Sequence, residues 1–142
     1  MDDAPIRQVM DAYTAAVRAK DVDAFIGLYA QDVRVFDLWS NWSYDGAAAW
    51  RGMVTGWFDS LGTAQVAVGW DGVQTLVGHD VAVVHAFISY ADVSASGEVQ
   101  RAMLNRLTWV LKPHGGGWKI VHEHTSAPVD GESMQVILQR KS

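Results

Sequence analysis

Apolar residues recur along this chain with two different periods, and the change from one to the other divides it. Over residues 4–19, Ile6, Val9, Met10, Tyr13 and Val17 lie close to the i, i+3, i+4, i+7 spacing of a helix that buries one side. "AKDVDAF" interrupts this stripe and restarts it. Asp21 is expected to cap a second helix, since its carboxylate can accept from an otherwise unpaired first-turn N–H. Val22, Phe25, Ile26 and Tyr29 form the second stripe, and the two helices should make a hairpin. "VRVFD", residues 33–37, alternates in part and reads as a short strand, and "SNWSYDG" reads as loop. Asp45 is expected to cap a third helix over residues 46–61. Its stripe of Trp50, Met53, Val54, Trp57, Phe58 and Leu61 is the strongest helical signal in the chain. Gly52 and Gly56 lie inside it at a cost of about 1 kcal/mol each relative to alanine. Either they admit a close neighbour or they weaken the helix.

After residue 63 the period shortens. "AQVAVGWDGVQTLVG", "DVAVVHAFISYADV", "EVQRAMLNRLTWVLK" and "WKIVHEHTS" are rich in β-branched and aromatic residues. "GHD", "SASG" and "PHGGG" separate them, as in an antiparallel meander. Residues 81–91 are apolar on both alternating faces, whereas a sheet packed on one side only would alternate cleanly. One face is therefore expected to meet the helices and the other a second copy of the chain, giving a homodimer. Three N-terminal helices on a curved, mostly antiparallel sheet make an α+β fold. The expectation is a single domain over 1–142, with its core at about 4–127 and an extension at 128–142 that adds an edge strand or a short helix.

Composition narrows the function. A formal net charge of -5 with no basic patch beyond the tail "QRKS" speaks against nucleic acid. The chain has no cysteine, which excludes disulfides, thiolate metal sites and cysteine nucleophiles. The acidic, polar start does not read as a secretory signal, and no apolar run approaches the ~20 residues of a membrane span. A cytoplasmic protein without membrane contact is expected.

The chemistry-bearing residues concentrate in two places. In "WKIVHEHTS", strand alternation sets Ile120, His122 and His124 on one face and Val121, Glu123 and Thr125 on the other, unless a bulge intervenes. His122 and His124 can supply two imidazoles to a metal, with His85 or Asp37 as third ligand, or contact a ligand, or serve as neutral polar wall. On the preceding strand Arg106 shares a face with Leu104, Thr108 and Val110. A guanidinium turned inward cannot lose its charge and needs an anion, so Asp37, Glu98 or a ligand carboxylate would have to meet it. Asp37, at the end of a strand on an apolar wall, would have its pKa raised by desolvation. Among seven tryptophans, Trp39 and Trp57 are the best candidates for a pocket wall.

The order of elements, a helix hairpin, a strand, a third helix and a long meander, resembles the cone-shaped fold of the nuclear transport factor 2-like superfamily over about residues 4–127. "YTAAVRAKDVDAFIGLYAQDVRVFD" resembles the opening of ketosteroid isomerases. That resemblance implies Tyr13 as an oxyanion donor, Tyr29 as its support and Asp37 as the proton shuttle. "RLTWVLKPHGGGWKIVHEHTSAP" is similar to SnoaL-like proteins, and "WKIVHEHTSAP" to the association domain of calcium/calmodulin-dependent kinases. The resemblance also turns His122 and His124 toward the cavity. It departs at two points: where isomerases carry a protonated aspartate the nearest position is Arg106, and a supporting tyrosine of the third helix is replaced by Val54.

The expected protein is thus a small enzyme using no cofactor and no metal, acting on a hydrophobic or carboxylate ligand. Asp37, Tyr13 and Arg106 would be catalytic. Tyr29, Trp39, Trp57, His85, Thr108, His122 and His124 would contact the ligand. The alternative is a non-catalytic oligomeric binding or assembly module.

Overall fold

A computed structural model describes residues 2–140. Met1, Lys141 and Ser142, and with them the end of the basic tail, lie outside the described residues. Helix α1 (Ala4–Ala19) buries all five residues of its expected stripe. It stops where Lys20 turns left-handed at φ 54°. Asp21 caps α2 (Val22–Ile26) as anticipated, accepting from the Ala24 N–H at 3.0 Å. That helix is shorter than its stripe, because Tyr29 already begins β1 (Tyr29–Phe36), four residues ahead of the expected strand. A two-residue strand β2 (Tyr44–Asp45) occupies what reads as loop.

Asp45 does not cap α3 (Ala47–Ser60). The cap position falls on Gly46 at φ 91°, and the Asp45 carboxylate accepts from Arg34 Nε across β1–β2 at 2.9 Å. Nothing lies within 4 Å of where a Cβ would sit on Gly52 or Gly56, so these glycines only loosen the helix.

The remaining strands are β3 (Gln65–Val77), β4 (Ala82–Val93), β5 (Val99–His114) and β6 (Gly117–Ser126). With β1 and β2 they form a six-stranded, curved and unclosed sheet in the order β2-β1-β6-β5-β4-β3, with β1–β6 the parallel pair. All other pairings are antiparallel.

Strand alternation then sorts the side chains. On β4 the inward row includes Val84, Ile88 and Tyr90, and on β5 it runs Asn105, Leu107, Trp109 and Leu111. On β6 a bulge breaks the count: Leu111 pairs with Ile120 but Val110 with His122, leaving Val121 as an extra residue. Ile120, Glu123 and Thr125 therefore point inward together.

The helices lie on this inner face. Tyr13 sets its ring edgewise to Trp70 and Trp109, at 5.8 and 5.5 Å between centroids, and tilted on Phe25 at 5.0 Å. Each such pair adds about 0.5–1.5 kcal/mol beyond the area it buries. Over its described residues, 128–140, the C-terminal segment is neither a full strand nor a helix. After an isolated bridge between Val129 and Val136, the Leu138 carbonyl accepts from Leu104 N–H at 2.8 Å, on the stretch of β5 that β6 no longer covers. Arg140 then rests on the Phe87 ring, 4.5 Å from its centroid.

Candidate active site

Between α3 and the inner sheet face lies a cavity of about 440 Å³. Its apolar wall comes from Phe25, Trp50, Met53, Trp57, Val66 and Leu138, and Trp39 and Arg101 also line it. Four polar groups converge on this space.

The first is Asp37, directly after β1. Its Oδ1 accepts from Thr125 Oγ1 at 3.1 Å and its Oδ2 from the Trp39 N–H at 3.3 Å. Thr125 is itself held by the Leu38 N–H at 3.0 Å. Burial raises the Asp37 pKa above the ordinary carboxylate value, and these hydrogen bonds only partly offset it.

The second is Glu123, 1% exposed. Tyr29 Oη donates to its Oε1 at 2.6 Å and Trp109 Nε1 donates to the same oxygen at 2.8 Å, so Oε2 stands outside this pair of bonds. Burial pushes its pKa up to about 7, with a smaller contribution from the charge of Asp37 and a lowering by the two donors.

The third is a pair of hydroxyls, Tyr13 and Tyr90, 2.7 Å apart. One hydrogen spans the pair and the other is free for a further acceptor. Burial raises both phenol pKa values, so the pair stays neutral and able to donate.

The fourth is Asn105, 3% exposed, whose side-chain oxygen has no hydrogen-bond partner. An unsatisfied buried polar group costs about 1–3 kcal/mol.

Of the residues expected at the site, the fold brings Asp37, Tyr13, Trp39 and Trp57 to the cavity. Tyr29 sits behind the wall: its hydroxyl serves Glu123, and the partner of Tyr13 is Tyr90 instead. Five others lie on the outer face.

Arg106 is exposed and donates to Ser126 Oγ at 3.0 Å, because the parity that turns Asn105 and Leu107 inward turns Arg106 out. Thr108 shares its face, and His85 stands opposite Thr108 on β4. His122 and His124 are placed outside by the extra residue Val121. His122 Nδ1 lies 2.7 Å from the Arg34 carbonyl, and Phe36 is edge-on to both imidazoles. Among the described residues no group of three histidine or carboxylate side chains gathers to hold a metal, and no helix is long and apolar enough to cross a membrane.

Glu123, Tyr90 and Asn105 are the residues that sequence reasoning missed. Asn105 was legible, because the row with Leu107, Trp109 and Leu111 is the more apolar of the two on β5. Glu123 was not, because nothing in "WKIVHEHTS" announces the bulge.

Comparisons with known proteins place the fold. Residues 6–130 match the profile of a family described as the SnoaL-like domain. No curated protein matches the chain in sequence. Among solved structures, an NTF2-like protein of unknown function from Pseudomonas putida KT2440 superposes with a TM-score of 0.85 at 24% identity, over 99% of this chain and 96% of that one. A candidate calcium/calmodulin-dependent protein kinase II association domain from Xanthomonas campestris gives 0.72 at 19%, over 90% and 89%. A candidate aromatic ring hydroxylase from Novosphingobium aromaticivorans gives 0.72 at 23%, over 88% and 87%. At these identities the structures share the fold, and the fold by itself assigns no reaction.

Proposed function

This chain belongs to the SnoaL-like domain family, and from that premise we propose that it is an acid–base enzyme, working without a cofactor, on a small hydrophobic carbonyl or hydroxy compound held in the cavity. The observation that carries the reading is Asp37: a carboxylate of raised pKa at an apolar cavity whose opposite polar feature is a neutral pair of tyrosine hydroxyls. As base, Asp37 takes a proton from the carbon next to a carbonyl. The C–H electron pair becomes the C=C bond of an enolate, and the charge moves onto the carbonyl oxygen. A hydroxyl of the Tyr13–Tyr90 pair donates to that oxygen, at a site water does not reach freely. Protonated Asp37 then returns its proton, to the same carbon or to another. Glu123, its pKa pushed up to about 7 by burial, offers Oε2 as a second point for proton exchange. Isomerase, cyclase and dehydratase chemistry all begin with this step.

The placement of Arg106 outside the cavity removes the anchor that a carboxylate ligand would need, so the reading narrows to uncharged ligands. The outer face, with Phe87, Leu104 and Val110 half-buried, is the surface through which a homodimer would form. A mass of 15.6 kDa by light scattering at micromolar concentration would exclude that dimer.

The enzymatic reading is tested by incubating the protein with 1-tetralone in deuterium oxide and following loss of the α-proton by NMR. Exchange should exceed the buffer rate and drop by about 10²–10⁴-fold in Asp37→Asn, the usual contribution of a positioned base. Binding with no exchange above buffer would instead support a non-catalytic ligand-binding module.

A further inference from the structure

Asn105 stands out because nothing in the protein explains it. Its strand neighbours on the inner face, Met103, Leu107, Trp109 and Leu111, are all apolar, and across the β4–β5 ladder it faces Ile88. Packing alone would favour leucine, which has nearly the same shape and no polar atoms. The side chain is nine-tenths buried and more, it lines the cavity, and its amide oxygen meets no donor. Among the described residues, the Trp50 indole N–H is the one other buried side-chain polar atom here without a partner, and it can only donate. Tyr13 has Tyr90, Glu123 has Tyr29 and Trp109, and Thr125 has Asp37. An amide oxygen left over in such a set can accept a hydrogen bond from a ligand.

The charges around it restrict what the ligand can carry. Asp37 and Glu123 share the cavity, so a ligand anion would meet two carboxyl groups, while the one lining guanidinium, Arg101, is exposed and already paired with Asp92 at 3.4 Å. A hydroxyl satisfies the amide oxygen by donating to it and brings no charge. The apolar and aromatic walls fit a flat ring system, and about 440 Å³ leaves room for one of one or two rings with its substituents.

We propose that Asn105 is a specificity-determining residue that reads a hydroxyl group on an uncharged ring ketone, at a position on the ring away from the carbonyl that Asp37 and the tyrosine pair address. The inference rests on reading the cavity as a ligand site, and it names which ligands that site prefers. A site built to hydrogen-bond a ligand hydroxyl rejects the analogue lacking it, because the buried protein group is then left unpaired.

The probes are 6-hydroxy-1-tetralone and 1-tetralone, with affinities measured by calorimetry against the wild type, Asn105→Leu and Asn105→Ala. The hydroxy compound should bind the wild type about 10-fold more tightly than the plain ketone. In Asn105→Leu that advantage should vanish while the plain ketone binds as well or better. Asn105→Ala should also lose the preference, so the test does not depend on one variant folding. An equal affinity of the wild type for both ketones overturns the proposal. So does a hydroxyl preference that survives both substitutions, or failure of both ketones to bind. Deuterium exchange of 1-tetralone runs as a separate readout. Hydroxyl preference without exchange would sink the enzymatic reading and leave Asn105 in place, and exchange without preference would do the reverse.

Discussion

The two faces of β5 and β6 come from the same two stretches of sequence and differ in almost everything else. Inward, Trp109 and Glu123 are directly opposed across the ladder and joined by a hydrogen bond between their side chains. Outward, Val110 and His122 occupy the next pair, and the imidazole turns aside to a backbone carbonyl of β1. Apart from Asn105, the inner polar groups are held by other side chains, and burial shifts the titration of Asp37, Glu123, Tyr13 and Tyr90. The outer ones touch backbone, Ser126 or solvent. A polar residue on a strand thus acquires chemistry from the face it lands on, and which face that is depends on one position of register. Four measurements would break or sharpen this contrast.

The largest effect belongs to Trp109→Ala. It removes a fully buried indole, its edge contacts to Tyr13 and Trp70, and one of the two donors to Glu123. Loss of roughly 3–5 kcal/mol in denaturant unfolding is expected. Thr108→Ala, one residue earlier and on the other face, should stay within about 0.5 kcal/mol. Similar losses from both would erase the distinction between the faces.

Next comes Glu123→Gln, read as a function of pH. Burial lifts the Glu123 pKa from 4.5 to about 7, so between those values the native state keeps a proton that the unfolded chain has released. The corresponding stability is complete below about 4.5, declines as pH rises and is gone above about 7. The shift corresponds to a change on the order of 3 kcal/mol. Glutamine cannot ionise and can still accept from Tyr29 and Trp109. The variant should match the wild type near pH 4.5 and exceed it increasingly up to pH 8 in thermal melts. A difference that does not change with pH would show that Glu123 is not the buried titrating group.

His122→Ala gives up the bond to the Arg34 carbonyl and the contact with Phe36, for a loss of about 0.5–1 kcal/mol. Ligand affinity in the cavity should not move. Arg106→Leu is expected to be the mildest change, within about 0.5 kcal/mol and silent in tetralone binding. A tenfold fall in that binding would bring Arg106 back to the ligand and refute the placement of the faces.

The helical part of the fold was legible because an amphipathic stripe and its buried face are the same fact stated twice. Ile6, Met10, Tyr13 and Val17 are apolar at helical spacing, and they are among the residues α1 buries. The strands of the meander were legible for a similar reason, and the turn glycines marked their ends. Tyr29 was misplaced because a single tyrosine three residues after Ile26 fits both the end of a helical stripe and the start of a strand. Only the short reach of α2 decides between them. Asp37 and Tyr13 were reached through the family resemblance. Arg106 was drawn inward by that same resemblance, although the apolar row holding Leu107, Trp109 and Leu111 already argued for the other parity. Asn105 and Tyr90 ride on that parity. Glu123 depends on a bulge that leaves no mark in the local sequence.

That bulge has an implication for how such a pocket could change over evolutionary time. Substitution alters one side chain, but ironing out the bulge with every residue kept would restore an unbroken alternation through β6. With Ile120 held in the core, the beat after it would bring imidazoles instead of Glu123 and Thr125 to the interior, and the carboxylate would move to the surface. A shift of register by one position therefore acts here as an exchange of reagents, trading an acid for a pair of bases without rewriting any of the residues involved. Descendants of one ancestral chain could diverge in chemistry this way while their sequences, read letter by letter, still looked almost the same.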